Sequence, residues 1–134
     1  MNLLVNIDVD DLNKAVDFYT QALGLHVGRK LEGAMIELVG ASSSIYLLEN
    51  KEGTPASTTT SQLRTYQRHW TPVHFDLAVE DIHAAVRKAI AAGAKLEYEI
   101  QTHPYGHLAI MGDPFGHGFC LIQFTGGGYE EITI

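Results

Sequence analysis

Apolar and polar positions follow two different periods along the first third of the chain. Residues 3–9 are rich in branched apolar side chains and end in alternation, which is typical of a strand. From Leu12 to Leu23 the apolar positions are spaced by three and four, which predicts an amphipathic helix that ends at Gly24. Three more strands are predicted over residues 25–32, 33–39 and 44–49, separated by turn residues.

The same order of elements is predicted again in the second half. A strand over 72–79 precedes a helix that begins at Ile82 and ends at Gly93, and strands follow over 95–101, 107–112 and 118–124. An offset of 70 residues gives five identities in this region: Val9 with Val79, Asp11 with Asp81, Ala15 with Ala85, Val16 with Val86 and Ala22 with Ala92. The chain is therefore predicted to be an α+β protein made of two βαβββ modules, each too small to bury a sufficient core alone.

These patterns also predict the domain organisation. We expect one domain over residues 1–126, with module one over 1–52, a linker over 53–70 and module two over 71–126. The linker is rich in Gly, Pro, Ser and Thr at its start and is expected to be flexible there. Its second half alternates Arg and aromatic residues and forms either an extended arm on a surface or an ordinary loop. Residues 127–134 are expected to form a tail hinged at glycines.

Composition excludes several classes of protein. Nine Lys and Arg residues against sixteen Asp and Glu residues give a net charge of −7, which argues against nucleic-acid binding. The apolar runs are too short for a membrane span, and no leader pattern is present at the start. The single cysteine, Cys120, excludes an intramolecular disulfide and a Cys-rich zinc module. We expect a cytoplasmic protein that forms a homodimer.

Two motifs resemble those of a known superfamily. VDDLNKAVDFYTQALGL at residues 9–25 and MGDPFGHGFCLIQF at residues 111–124 resemble the vicinal oxygen chelate superfamily. It includes glyoxalase I, bleomycin resistance proteins, extradiol dioxygenases and fosfomycin resistance enzymes. The resemblance covers residues 3–126 and implies curled mixed sheets around a cavity, with the helices outside.

The resemblance also implies metal-ligand positions, on the first and last strands of each module. In this chain they fall on Leu4, Tyr46, His74 and Cys120. Leucine cannot bind a metal, and the family's two carboxylates and one of its imidazoles are missing. We therefore predict no metal cofactor, although His74 and Cys120 leave a divalent metal open as an alternative.

Strand alternation predicts which residues line a ligand site. Residues that share the faces of these four positions are mixed apolar and polar, as in small-molecule sites. Tyr105 and His107 are added because the loop before the seventh strand borders the cavity mouth in the family. The predicted ligand-binding residues are Asn6, Asp8, Tyr46, Leu48, His74, Asp76, Tyr105, His107 and Cys120.

The acidic and nucleophilic members of this set allow more than one interpretation. Asp8 and Asp76 either cap backbone groups or reach the rim, or they meet a cationic or hydroxylated ligand. His74 could orient with Asp76 as a general base, or activate Cys120 as a nucleophile, while a lone strand cysteine is usually a core residue. No catalytic residue is assigned.

Three functions are compatible with the sequence. The leading hypothesis is a metal-independent protein that binds a small molecule, cationic or aromatic, as bleomycin-resistance-type sequestration proteins do. The alternative is a glyoxalase- or dioxygenase-like metalloenzyme (a lyase, isomerase or dioxygenase) with a remodelled metal site around His74. The third is a scaffold or regulatory subunit that uses the acidic tail around Glu130 and Glu131 for a partner.

Overall fold

A computed structural model describes all 134 residues and has the predicted α+β class. It contains two mixed sheets that are curled rather than closed, with few helices. The chain divides into two compact units, Met1–Gln67 and Arg68–Ile134. Neither of the α-helices is long and apolar enough to cross a lipid bilayer.

Unit 1 has one helix and four strands. Its elements are β1 (Val5–Val9), α1 (Leu12–Leu23), β2 (His26–Leu31), β3 (Met35–Val39) and β4 (Ile45–Glu49). The strand order is β1–β4–β3–β2, in which β1 is parallel to β4 and the other pairs are antiparallel. The predicted order of elements is confirmed.

Unit 2 repeats this arrangement with one strand divided. Its elements are β5 (Phe75–Ala78), α2 (Ile82–Ala92), β6 (Lys95–Leu96), β7 (Gln101–His103), β8 (Gly106–Gly112), β9 (Gly118–Phe124) and a 3₁₀ helix (Gly128–Ile132). The strand order is β5–β9–β8–β6, and β7 also pairs with β8. The single strand predicted over 95–101 is wrong, because the chain bends around Tyr98, whose side chain is 59% exposed, and regains its pairing at Gln101.

Both helices begin and end in the same way. The side chains of Asp11 and Asp81 each accept a hydrogen bond at 3.0 Å from the backbone N–H three residues further on. Gly24 and Gly93 then end the helices in the left-handed conformation, which glycine adopts at low cost.

A second, long-range cap strengthens the correspondence between the units. The Glu49 carboxylate accepts a hydrogen bond from the Leu12 N–H at 2.9 Å, and the Gln123 amide oxygen accepts one from the Ile82 N–H at 2.9 Å. In each unit the last strand therefore satisfies a free donor at the start of the helix. These contacts show which face of each sheet carries the helix, called here the helix face; the opposite one is the far face.

The apolar core lies on the helix faces. In unit 1 it includes Leu38 and Leu47, and in unit 2 it includes Met111 and Leu121, all 0–1% exposed. Because side chains alternate along a strand, the polar residues between these core positions point to the far faces. The far faces therefore carry the candidate chemistry.

Candidate functional site

Three side chains converge on the far face of unit 2. Strands β5 and β9 are parallel, and their register places Asp76 opposite Cys120. His74 Nε2 lies 3.3 Å from Asp76 Oδ1, and the donor atoms of His74, Asp76 and Cys120 all lie within 4.8 Å of one another. The side chains of His74 and Asp76 are 43% and 38% exposed, so a ligand can reach both.

The Cys120 thiol is buried and stays protonated. Burial is the largest cause that raises its pKa to about 11, and the negative charge and hydrogen bond of Asp76 add to it. The protonated thiol is thus a hydrogen-bond donor beside the Asp76 carboxylate, and the Sγ and carboxylate oxygen atoms lie within 4.8 Å of each other. A neutral thiol is a poor nucleophile, so this geometry favours the core-residue interpretation of Cys120 over the nucleophile.

Trp70 extends this surface beside His74. The two rings meet edge to face, with centroids 5.5 Å apart. The Arg68 guanidinium lies 4.5 Å from the indole centroid, and Arg68 forms an ion pair with Glu97. The indole N–H also donates to Glu97 at 3.2 Å, so two neighbours hold the ring in place.

Gly118 makes room for Arg68 and Trp70 on the sheet. A Cβ atom at Gly118 would lie 2.7 Å from the indole ring and 2.8 Å from Arg68 Nη2. Trp70 and Glu97 were not among the predicted site residues, because neither lies at a position that strand alternation marked. The signal that could have found them is a glycine inside a predicted strand, which often marks a close approach.

An aromatic cluster lies around Tyr105. Its ring stacks on His103 with centroids 4.9 Å apart and an interplanar angle of 8°, and Tyr129 of the 3₁₀ helix lies 5.3 Å away. Burial is the largest cause that raises the pKa of Tyr105, followed by Tyr129, Asp76 and Cys120. Tyr129 also packs against Phe124, with ring centroids 4.8 Å apart, and Phe124 shares the face of Cys120 on β9. Tyr105 is therefore connected to the far face through Tyr129.

His107 lies on the other side of the sheet. In the β8–β9 register it stands opposite Gln123, whose amide caps α2, so it belongs to the helix face. Its Nδ1 is 3.2 Å from Thr102 Oγ1. The structure does not bring His107 together with the His74, Asp76 and Cys120 group.

The far face of unit 1 carries the predicted residues Asn6, Asp8, Tyr46 and Leu48, and there arginine side chains contact the polar groups. The β1–β4 register pairs Asn6 with Tyr46 and Asp8 with Leu48. The Tyr46 hydroxyl donates to the Glu37 carboxylate at 3.2 Å and accepts from Arg29 at 3.3 Å. Tyr46 is therefore already held by neighbouring side chains.

Arg29 and Glu37 form a bidentate ion pair, with both guanidinium contacts at 2.8 Å. An irregularity in the β2–β3 pairing between Val27 and Lys30 also aims the Arg29 N–H at the same carboxylate, at 3.1 Å. The Arg29 side-chain hydrogen bond is the largest cause that lowers the pKa of Glu37 to about 2. Sequence alternation had not identified this pair, because its arginine lies at the irregularity.

Asp8 is also compensated within unit 1. Arg64 Nε lies 2.7 Å from its Oδ2, and Asn50 donates to its Oδ1 at 3.0 Å. Tyr66 donates to the Asn50 carbonyl, so residues from the predicted linker pack on this unit. Asp8 thus meets a cation supplied by the chain itself.

The family's metal does not fit the four ligand positions that the resemblance implies. Leu4 has no donor atom and is 59% exposed. Tyr46 is bound to Glu37 and Arg29, and Cys120 is buried. His74 alone presents an accessible donor of the usual kind, and a catalytic metal site usually has three protein ligands.

Comparison with known proteins identifies a matching domain family and several relatives of similar sequence. The glyoxalase-like domain family matches residues 4–122. The probable lactoylglutathione lyase of Vibrio cholerae is 30% identical over 117 residues, which cover 86% of this chain and 84% of that protein. The anthracycline biosynthesis protein DauV of Streptomyces sp. strain C5 is 30% identical over 124 residues, covering 89% of this chain.

The chain spans only 40% of the length of DauV. Among solved structures, the antibiotic-binding protein TnmS3 from Streptomyces sp. CB03234 superposes with a TM-score of 0.66 at 22% identity, over 93% of this chain and 96% of that one. The fold is therefore shared with that protein. With the family match covering most of the sequence, the chain belongs to the glyoxalase-like domain family of the vicinal oxygen chelate superfamily.

Proposed function

We propose that this protein binds a small aromatic or cationic molecule without a metal ion, as bleomycin-resistance-type sequestration proteins do. The observation that carries the proposal is the loss of the metal-ligand set. Of its four positions, one is a leucine, one is a tyrosine held by the Arg29–Glu37 ion pair and one is a buried thiol. A site with these side chains can still bind a small molecule through hydrogen bonds, charge and aromatic contacts, without a metal ion.

The far face of unit 2 supports this proposal with its mixed lining. Trp70, His74 and Tyr105 supply aromatic surface, and Asp76 supplies one exposed carboxylate. A few polar groups in an aromatic setting are typical of small-molecule sites. The names of similar proteins agree, since TnmS3 is described as antibiotic-binding and DauV as an anthracycline biosynthesis protein.

Trp70 offers a direct test because it is the single tryptophan of the chain. Titration with doxorubicin, an anthracycline, should quench its fluorescence saturably, and EDTA should leave the affinity unchanged. His74→Ala should weaken binding with little loss of stability, because the side chain is 43% exposed. The matched control is His26→Ala, an exposed histidine of unit 1. Binding that disappears with EDTA would contradict the proposal.

A metalloenzyme is the second candidate, favoured by the group around His74. The donor atoms of His74, Asp76 and Cys120 converge within 4.8 Å, and a similar protein is named a probable lactoylglutathione lyase. Elemental analysis after purification without a histidine tag separates the two candidates. About one divalent metal per chain that His74→Ala removes would support a lyase, isomerase or dioxygenase. No uptake from nickel, zinc, manganese or ferrous iron would support the metal-independent candidate.

We further propose that the protein forms a homodimer and acts in the cytoplasm. Strands β1 and β5 are the edge strands of their sheets, and the chain at each edge exposes apolar side chains. Leu3 is 71% exposed, Val73 is 75% exposed and Phe75 is 41% exposed. A second copy could cover them. Light scattering should give twice the chain mass, and Val73→Ser should shift the protein toward the monomer. A monomer at every concentration would contradict this.

A further inference from the structure

We propose that Asp76 recognises a positively charged nitrogen on a planar aromatic ligand, which packs against Trp70 and Tyr105. This inference rests on the proposed function and specifies the ligand for the same surface. It follows from the way charges are compensated on the two far faces.

Every other acidic side chain described at these faces has an arginine partner. Asp8 pairs with Arg64, Glu37 pairs with Arg29, and Glu97 pairs with Arg68. Asp76 contacts a histidine instead, 3.3 Å from its carboxylate, and a neutral thiol. Asp76 is thus the carboxylate for which the fold supplies no permanent cation.

The exposure of Asp76 makes this charge available. Its side chain is 38% exposed, so a ligand can approach it without rearrangement of the core. His74 Nε2 lies 3.3 Å from one carboxylate oxygen, and the Cys120 thiol also lies within 4.8 Å of the carboxylate. A charged nitrogen on a ligand would therefore form a charge-assisted hydrogen bond with the Asp76 carboxylate.

The aromatic neighbours favour a flat cation over a simple ion. Trp70 lies against His74, next to Asp76, and is 44% exposed. Tyr105 stacks on His103, and its neighbour Tyr129 packs against Phe124 of the same face. Aromatic rings attract cations at about 6 Å and stack with planar groups. A carboxylate with an indole and a phenol nearby matches both parts of an aromatic cation.

Two probes of similar shape test this inference by calorimetry near neutral pH. 9-Aminoacridine is cationic under these conditions and acridine is neutral. We expect 9-aminoacridine to bind about tenfold more tightly, as is typical of one hydrogen bond to a charged group. Added salt should reduce that preference, since the pair is partly exposed.

Asp76→Asn should remove most of the preference and leave acridine binding nearly unchanged. Asp17→Asn is the matched control: it changes the net charge equally at an exposed position on α1 and should keep the preference. Equal binding of both probes to the native protein would overturn the charge recognition and leave the proposed function standing. No binding of either probe, together with no response to doxorubicin, would overturn both.

The comparison of probes on the native protein needs no variant, so it tests the preference for a cation even if Asp76→Asn folds poorly. Trp70→Phe provides the second arm. It should weaken both probes, because the smaller ring removes aromatic contact without changing the charge. Unchanged affinity for both probes in Trp70→Phe would contradict packing against the indole.

Discussion

Replacing Gly118 with alanine should displace Trp70 from the sheet. The added methyl would lie 2.7 Å from two carbons of the indole, whereas ordinary contact begins at 3.4 Å. The ring must therefore withdraw by at least about 0.7 Å, the difference between these distances. The backbone of Gly118 lies outside the left-handed region, so alanine itself brings no conformational strain there.

The cost in stability should be small, because Trp70 is 44% exposed and can move toward solvent. Overpacking of this kind costs about 1–3 kcal/mol, and we expect the lower end. The main change should be in the environment of Trp70: its fluorescence should shift to the red, and doxorubicin binding should weaken. Thermal unfolding and fluorescence of the same samples measure both effects.

Gly127→Ala is the matched control for this substitution. Its methyl would meet flexible side chains of Glu130 and Glu131 rather than a ring, at 3.1–3.3 Å. It should leave the Trp70 spectrum unchanged. Native-like fluorescence and binding in Gly118→Ala would refute the packing of residues 68–70 on β9.

Three further predictions concern groups with perturbed environments. In Asp76→Asn the pKa of Cys120 should fall below about 11, because the negative charge of Asp76 helps to raise it, and alkylation of the thiol should become faster at a given pH. The lowered pKa of Glu37 predicts stability that is complete above about 4.5 and lost as the pH falls toward about 2, so Glu37→Gln should flatten the acid side of a plot of Tm against pH. Gln123→Ala should lower the free energy of unfolding by about 1 kcal/mol in a denaturant titration, because the Ile82 N–H loses its acceptor; an unchanged value would contradict the long-range cap.

The regular elements could be predicted because local signals define them. The spacing of apolar residues and a terminal glycine give α1 as Leu12–Leu23, and alternation gives β9 as Gly118–Phe124. The first strand of each module is shorter than predicted, since β1 begins at Val5 and β5 at Phe75. Apolar alternation indicates an extended chain, but a strand also needs a partner to pair with, and sequence alone does not locate that partner.

The candidate site was predictable only where the family resemblance or strand alternation marks a position. The resemblance implied His74 and Cys120, strand alternation added Asp76, and the donor atoms of all three lie within 4.8 Å of one another. The arginine partners were not, because Arg64 and Arg68 come from the predicted linker and reach acids 56 and 29 residues away in sequence. Such contacts depend on the folded path of the chain, so no local pattern signals them.

The two units share one fold, but Glu37 on the far face of unit 1 has an arginine partner and Asp76 on the far face of unit 2 has none. This difference predicts opposite effects on Tm when the acidic charge is removed. On unit 1, Glu37 is 7% exposed and accepts hydrogen bonds from Arg29 and Tyr46 at both carboxylate oxygens. Glu37→Gln should therefore lower the Tm near neutral pH, because the amide nitrogen that replaces one oxygen cannot accept these bonds. On unit 2, Asp76 has no arginine, and an asparagine oxygen can still accept the Cys120 hydrogen bond. Asp76→Asn should therefore keep or raise the Tm while it weakens cationic ligands, as is common where a group serves binding at the expense of stability. A loss of Tm in Asp76→Asn as large as that in Glu37→Gln would show that Asp76 stabilises the fold, and its assignment to ligand recognition would then be wrong.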